Sequence, residues 1–249
     1  MMAIAGESHE GNGNSSAAEY LRVTNLHAFY GESHILHGMD FSVNRGELVT
    51  LLGRNGSGRT TTLKAILGLV EKRSGSVMLN GRETVHWPAY RIARLGVGYC
   101  PEERGIFASL SAEENLLLPP RLSSEGMSVE EIYSMFPQLK ERRHSQGSKL
   151  SGGEQQMLAM ARILRTGARL LLLDEVSEGL APVIVQTLRK TIAELKTRGF
   201  TMILVEQNFR FAAALADRMY VVERGRIVMS VGKDELTEKQ EKLEELLRV

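Results

Sequence analysis

The sequence predicts an α/β fold in which a mostly parallel sheet is covered by helices on both faces. Two apolar runs, 170–173 and 201–205, lack the alternation of half-exposed strands, so both are predicted to be buried on two sides. Each run is followed by a segment with helical spacing of apolar residues, at 183–198 and 209–216. Strands of this kind separated by helices are typical of a sheet enclosed between helical layers.

The remaining elements are predicted around this core. Short β-type runs within 21–50 indicate an N-terminal antiparallel layer that leads into a first core strand at 47–52. Residues from about 91 to 165 have broken helical patterns and are predicted to form an inserted helical subdomain. A hairpin over 219–230 and a last helix from about Asp234 complete the chain. The helix after the first core strand has apolar residues at Leu63, Ile66, Leu67 and Val70.

Composition excludes several classes of protein. The chain is 43% hydrophobic and 24% charged with a net charge of +1, which offers no basic surface for nucleic acid. A single cysteine, Cys100, cannot form an internal disulfide and suits a reducing compartment. No apolar run, the four leucines of 170–173 included, approaches the roughly 20 residues of a membrane span. Residues 1–18 lack the features of a signal peptide and are predicted to be a disordered tail.

A glycine-rich segment at 53–60 matches the pattern G-x-x-x-x-G-basic-T between a predicted strand and a predicted helix. Its glycines would let successive backbone N–H groups point at phosphate oxygens, and Thr60 would place a hydroxyl on Mg²⁺. The alternative is an ordinary glycine-rich turn before a helix. The predicted nucleotide-binding residues here are Gly53, Arg54, Asn55, Gly56, Ser57, Gly58, Arg59, Thr60 and Thr61.

Arg59 stands where this motif usually has lysine. Lysine is a compact point charge that reaches the β- and γ-phosphates, whereas a guanidinium is larger, planar and aimed differently. We therefore expect nucleotide binding to be retained but weakened, and hydrolysis to be reduced.

Two acids, Asp174 and Glu175, end the buried run 170–173. We expect this strand to lie beside the phosphate-loop strand, so that Asp174 supports Mg²⁺ or its water shell. Glu175 would then polarise the attacking water. The alternative is a strand that runs into a charged turn.

A second pair of glycines opens a predicted helix at Ser151-Gly152-Gly153-Glu154. Ser151 and Glu154 fit a capping box, but a capping box does not explain the two glycines. Bare backbone at a helix N-terminus is an anion site. Two phosphate-binding surfaces in one chain are consistent with two different nucleotides at a dimer interface.

These three motifs, at 53–60, 150–155 and 170–175, resemble the ABC ATPase family in their order and spacing, from about Tyr20 onward. The resemblance implies two such domains that enclose two ATP molecules head to tail. Segments similar to the F-type ATPase of branched-chain amino-acid importers are 34–38, 101–107, 113–116, 177–182 and 205–208.

The resemblance also implies roles for single residues. Tyr30 matches the aromatic residue that stacks on adenine, although it could be a core or turn tyrosine. Glu102 stands where most relatives have a glutamine that senses Mg²⁺. Gln207 replaces a histidine that contacts the γ-phosphate, and because an amide cannot titrate, the general-base role falls to Glu175. Val176 replaces a proline, which should loosen the turn that aims Glu175.

Three functions are left open by the sequence. The first is an import ATPase on the cytoplasmic face of the inner membrane, taking up branched-chain or related amino acids, with amides or urea as further solutes. It would work with a second ATPase subunit, two transmembrane permeases and, indirectly, an extracytoplasmic solute-binding protein. The second is a soluble ABC protein of translation or DNA repair. The third is a subunit that binds nucleotide but hydrolyses it poorly, as Arg59 and Val176 suggest. In each case residues 19–249 would form one nucleotide-binding domain.

Overall fold

A computed structural model of the protein describes residues 19–247, so the predicted tail at 1–18 lies outside the described residues. The strands in chain order are β1 (Glu19–Tyr30), β2 (Ser33–Asn44), β3 (Leu48–Leu52), β4 (Lys72–Leu79), β5 (Arg82–Glu83), β6 (Val97–Cys100), β7 (Leu170–Asp174), β8 (Thr201–Glu206), β9 (Arg218–Glu223) and β10 (Arg226–Gly232). The α-helices are α1 (Arg59–Ile66), α2 (Ala89–Ala93), α3 (Ala112–Leu117), α4 (Val129–Met135), α5 (Pro137–Glu141), α6 (Gly152–Thr166), α7 (Pro182–Thr197), α8 (Phe209–Ala213) and α9 (Leu236–Leu247). None of these helices is both long and apolar enough to cross a bilayer.

The core is a six-stranded sheet in the order β10-β9-β3-β8-β7-β6. All neighbours in it are parallel except β9 and β10, which form the predicted hairpin. Every residue of β3, β7 and β8 is buried. The prediction of a mostly parallel sheet with two covered faces is therefore confirmed.

The two faces of this sheet pack against different layers. Leu171 and Leu173 point into a core formed with helices α6 and α7. Leu170 and Leu172, which point the other way, pack with the second sheet. That second sheet is antiparallel and has the order β2-β1-β4-β5. Strands β1 and β2 form the predicted N-terminal layer, and β4 and β5, which follow α1, were not predicted.

The order of strands corrects one expectation. The strand that ends in Asp174 and Glu175 does not lie beside the phosphate-loop strand, because β8 pairs with β3 on one side and with β7 on the other. The three strands are parallel, so their C-terminal ends still meet at the same edge of the sheet. Asp174 is two strands away from Leu52, and α1 must bring Thr60 to it.

Two element boundaries also differ from the sequence pattern. Residues 97–100, inside the range predicted as a helical insert, form the edge strand β6, which buries Cys100 completely. Helix α1 ends at Ile66, although the apolar spacing continues to Val70. The cause is Gly68, whose φ of +74° is left-handed and whose Cβ, if it had one, would lie 2.6 Å from the backbone oxygen of Trp87.

Candidate functional site

The segment between β3 and α1 is a tight loop whose glycines the backbone requires. Gly56 and Gly58 have φ of +76° and +106°, and a Cβ on Gly58 would lie 2.9 Å from Cδ2 of Leu36. The loop borders a cleft of about 410 Å³. The cleft is lined by Ile35, Asn55, Gly56, Ser57, Gly58, Arg59, Thr60, Thr61, Glu102, Glu175 and Glu178.

Asp174 is fully buried and is held by two hydroxyl groups, one of them from Thr60, which lines the cleft. Thr60 Oγ1 donates to its Oδ1 and Tyr99 Oη donates to its Oδ2, both at 3.0 Å. Burial raises the pKa of Asp174, and the two hydrogen bonds partly oppose that rise. Thr60 and Asp174, each of which is expected to act on Mg²⁺, are therefore in direct contact across the intervening strand β8.

Glu175 follows directly in a left-handed conformation, with φ of +48°. Its backbone N–H donates to the carbonyl oxygen of Val205 at 2.9 Å, which fixes this turn to the end of β8. Both carboxylate oxygens are engaged: Arg59 Nη2 lies 2.9 Å from Oε1 and Gln207 Nε2 donates to Oε2 at 3.1 Å. The two predicted catalytic residues, Glu175 and Gln207, are thus in direct contact.

Carboxylates converge on the cleft. Glu102, Glu175 and Glu178 each place an oxygen within 4.8 Å of the others, the one such potential metal-binding group in the part of the chain that the structure describes. A hydrogen bond shared with Glu175 is the main reason that the pKa of Glu178 rises to about 7, and burial adds to it.

The glycines at 152 and 153 are explained by packing as well as by the predicted anion site. Ser151 and Glu154 form the capping box at the start of α6, with Glu154 N donating to Ser151 Oγ at 3.3 Å. A Cβ on Gly153 would lie 2.8 Å from Cγ2 of Ile184, so α7 packs directly against this turn. A Cβ on Gly152 would lie 3.2 Å from Nη1 of Arg104. Residues 151–154 are not among the described residues that line the cleft.

Tyr30 ends β1 with 47% of its surface exposed, and it too stands apart from the described residues that line the cleft. An exposed ring at a strand end is not a core tyrosine, so adenine stacking and the alternative of a turn tyrosine, beside the turn at 31–32, are both left open.

A family model described as ABC transporter matches residues 36–178, more than half of the chain. The chain belongs to the ABC transporter family. It is an ATPase of that family, with the α/β fold of an ATP-binding cassette.

Curated relatives of this ABC ATPase include ATP-binding proteins of branched-chain amino acid transport and of lipopolysaccharide export. The high-affinity branched-chain amino acid transport ATP-binding protein BraG of Pseudomonas aeruginosa is 43% identical over 81% of this chain and 88% of its own length. The probable branched-chain amino acid transport ATP-binding protein LivF of Archaeoglobus fulgidus is 36% identical, over 91% and 97%. The lipopolysaccharide export system ATP-binding protein LptB of Escherichia coli K12 is 31% identical, over 84% and 88%.

Solved structures agree with the fold of this ABC ATPase. The structure of an ATP-binding subunit of an ABC transporter is 28% identical, covers 91% of this chain and 97% of its own, and has a TM-score of 0.76. A cassette bound to ADP and Pi in a dimeric post-hydrolysis state has a TM-score of 0.75 at 22% identity, covering 86% and 98%.

The phosphate loop of this cassette fits an anion. Ser57 Oγ and Arg59 Nη1 are both buried and neither has a hydrogen-bond partner within residues 19–247. Buried polar groups without partners are costly, so two of them on one glycine-rich loop indicate a ligand rich in acceptor oxygens. The Thr60 hydroxyl and the carboxylates of Asp174 and Glu102 are oxygen donors of the kind that Mg²⁺ prefers.

Sequence reasoning missed three residues of this site. Tyr99 precedes Cys100 on the edge strand and was assigned to the helical insert, so its bond to Asp174 was hidden. Glu178 belongs to a segment noted only for its resemblance. Glu206 is the acid that ends the buried run of β8. An acid at the end of such a run is the sequence feature that points to it.

Proposed function

We propose that this ABC ATPase drives an importer for branched-chain or related amino acids. The observation that carries the solute class is the 43% identity with BraG over 81% of the chain. The ATPase subunit of a transporter need not touch the solute, so the solute follows from relatives and not from the cleft.

The residues of the cleft have complementary roles in hydrolysis under this proposal. The phosphate loop binds the triphosphate, and Thr60, Asp174 and Glu102 hold Mg²⁺, which neutralises charge on the phosphates when it is bound. Glu175 orients and polarises the attacking water, and Gln207 positions Glu175 through their hydrogen bond. Tyr30 stacks on adenine. The contacts around Asp174 and Glu175 support the roles of Thr60, Asp174, Glu175 and Gln207, and those of Tyr30 and Glu102 are supported by their match to the family pattern.

The partners follow from the same proposal. Residues 151–154 would bind the nucleotide held by a second ATPase subunit, identical or paralogous, in a head-to-tail dimer. Two transmembrane permeases would hold the pair at the cytoplasmic face of the inner membrane, and a solute-binding protein would act from the other side. Residues 19–249 would form one nucleotide-binding domain with a helical insert.

Transport by the assembled complex tests the solute. The ATPase, its permeases and its binding protein are reconstituted in vesicles, and ATP-dependent uptake of leucine is compared with uptake of urea and of an amide. Leucine-specific uptake is expected. Outward movement of a substrate, or uptake of urea alone, would overturn the assignment.

A second candidate function is supported by the ion pair between Arg59 and Glu175. Because the guanidinium holds an oxygen of the proposed base, the subunit would bind nucleotide while a partner ATPase performs most of the turnover. Equilibrium ATP binding measured beside single-turnover hydrolysis separates the two. Tight binding with negligible turnover favours this candidate, and comparable turnover in both subunits excludes it.

A further inference from the structure

The turn that carries Glu175 is attached to β8 by a buried carboxylate. Glu206, only 2% exposed, accepts a hydrogen bond from Ser177 N–H at 3.1 Å on Oε1 and from Ser177 Oγ at 2.9 Å on Oε2. Ser177 is itself buried. The Glu206 carboxylate therefore fixes both the backbone and the side chain of Ser177.

The last residue of β8, Glu206, and the residue after it, Gln207, act on the same turn from two directions. Side chains alternate along a strand, so Glu206 and Gln207 diverge at its end. Glu206 reaches Ser177 inside the protein, whereas the exposed Gln207 bonds to the carboxylate of Glu175. The backbone hydrogen bond from Glu175 to Val205 is a further contact of this turn. Three residue pairs therefore connect the turn to the end of β8.

The turn needs such support because its conformation is strained. Glu175 is not glycine and has φ of +48°, a conformation that costs about 1–3 kcal/mol and persists only where surrounding contacts determine it. Val176, which follows, leaves φ free where proline would fix it. The Val176 side chain is buried and adds packing, but packing alone does not orient a peptide plane.

We propose that Glu206 is a positioning residue for ATP hydrolysis: its carboxylate clamps Ser177 and thereby holds Glu175 aimed at the cleft. The inference rests on the proposed role of Glu175. Glu206 touches neither nucleotide nor water in this role, so it acts on the rate of hydrolysis and not on nucleotide affinity.

Glu206→Ala removes the clamp, and Glu206→Gln is its conservative counterpart. Glutamine can accept from Ser177 N–H through its oxygen and donate to Ser177 Oγ through its amide, since a hydroxyl can reverse its role. In the full chain within its assembled complex, we expect Glu206→Ala to lower kcat by about tenfold or more, with the Kd for ADP changed by less than about twofold. Glu206→Gln should retain most of the wild-type kcat.

Hydrogen exchange gives a readout that does not depend on catalysis. Amides of 175–178 should exchange faster in Glu206→Ala than in wild type, and at the wild-type rate in Glu206→Gln. Should the alanine variant fail to fold, Ser177→Ala removes only the hydroxyl bond and should produce a smaller change in the same direction. Glu223→Gln, at the exposed end of β9, is the control.

Glu175→Gln in the same assay separates two failures. If it abolishes hydrolysis while Glu206→Ala leaves both kcat and exchange unchanged, the clamp is refuted and the role of Glu175 stands. If Glu175→Gln hydrolyses ATP normally while exchange rises in Glu206→Ala, the role of Glu175 is refuted and the clamp is structural only. A rise in the Kd for ADP as large as the fall in kcat would also overturn positioning.

Discussion

The Nη2 atom of Arg59 lies 2.9 Å from Oε1 of Glu175, with the two side chains only 3% and 8% exposed. The residue at the basic position of the phosphate-loop motif is therefore paired with the proposed general base. Removing one partner of a buried ion pair leaves an uncompensated charge, so anything that takes the guanidinium from Glu175 must offer it other acceptors. Phosphate oxygens are such acceptors.

Arg59→Lys is expected to raise hydrolysis. A lysine makes a single point contact in place of a planar fork, which frees Glu175 to act on water. General-base catalysis contributes roughly 10²–10⁴-fold, so a rise of about tenfold in single-turnover rate is a modest expectation. Arg82→Lys, the same change at an exposed position of β5 that does not line the cleft, is the control and should leave the rate unchanged. A rate in Arg59→Lys no higher than wild type would contradict this view of the ion pair.

Glu175→Gln is expected to tighten nucleotide binding, because it removes a competitor for the guanidinium. The gain in affinity for ADP should be about fivefold or more, the size of an ordinary coupling between sites. Isothermal titration measures it, and ADP is chosen because it cannot be hydrolysed. In the Arg59→Lys background the same change should have a smaller effect. Equal gains in both backgrounds would show that Arg59 and Glu175 do not compete.

Gly153→Ala is expected to destabilise the protein by about 1–3 kcal/mol through overpacking. The new methyl group would lie 2.8–3.1 Å from three side-chain atoms of Ile184. Denaturant unfolding measures the loss, and Ile184→Ala in the same chain should recover part of it by removing those atoms. Gly152→Ala is the matched comparison, since its methyl group meets only the mobile end of Arg104 and should cost less. Equal losses in the two alanine variants would refute the packing role.

Stability is expected to fall between about pH 4.5 and 7 because of Glu206. Burial raises its pKa from 4.5 to about 7, so the folded protein holds the proton more tightly than the unfolded chain. The contribution of Glu206 to the free energy of unfolding is fully present below pH 4.5, and it is lost as the pH rises through about 7. At about 1.4 kcal/mol per unit the loss is of order 3 kcal/mol.

Glu206→Gln should remove this loss, so that its free energy of unfolding, measured by denaturant at pH 5 and pH 8, changes less than that of wild type. Glu223→Gln should follow the wild-type curve. Parallel curves for Glu206→Gln and wild type would contradict the assignment.

The candidate site was predictable where its structure depends on local sequence. Residues 53–60 specify their own loop because glycines at 56 and 58 allow left-handed backbone, and the four leucines of β7 require burial on both faces. Thr60 and Asp174 were each predicted to act on Mg²⁺, but neither their direct hydrogen bond nor the strand between them was foreseen.

What escaped prediction depends on the assembled chain. The pairing of Arg59 with Glu175 joins the first residue of α1 to the residue after β7 and could not be deduced from either motif. Residues 97–100 resembled part of a helical insert because a four-residue strand carries almost no periodic signal. Glu206 stood in a buried strand, where an acid looks like an exception until its partner Ser177 is known.

The complete burial of Cys100 has a practical consequence. Gln156 Nε2 lies 3.3 Å from its sulfur, and burial raises the pKa of the thiol to about 12, so the reactive thiolate is absent at neutral pH. Since Cys100 is the one cysteine in the sequence, we expect the folded native chain not to react with maleimide reagents. A fluorophore or spin label can therefore be attached at a single engineered cysteine without first replacing Cys100.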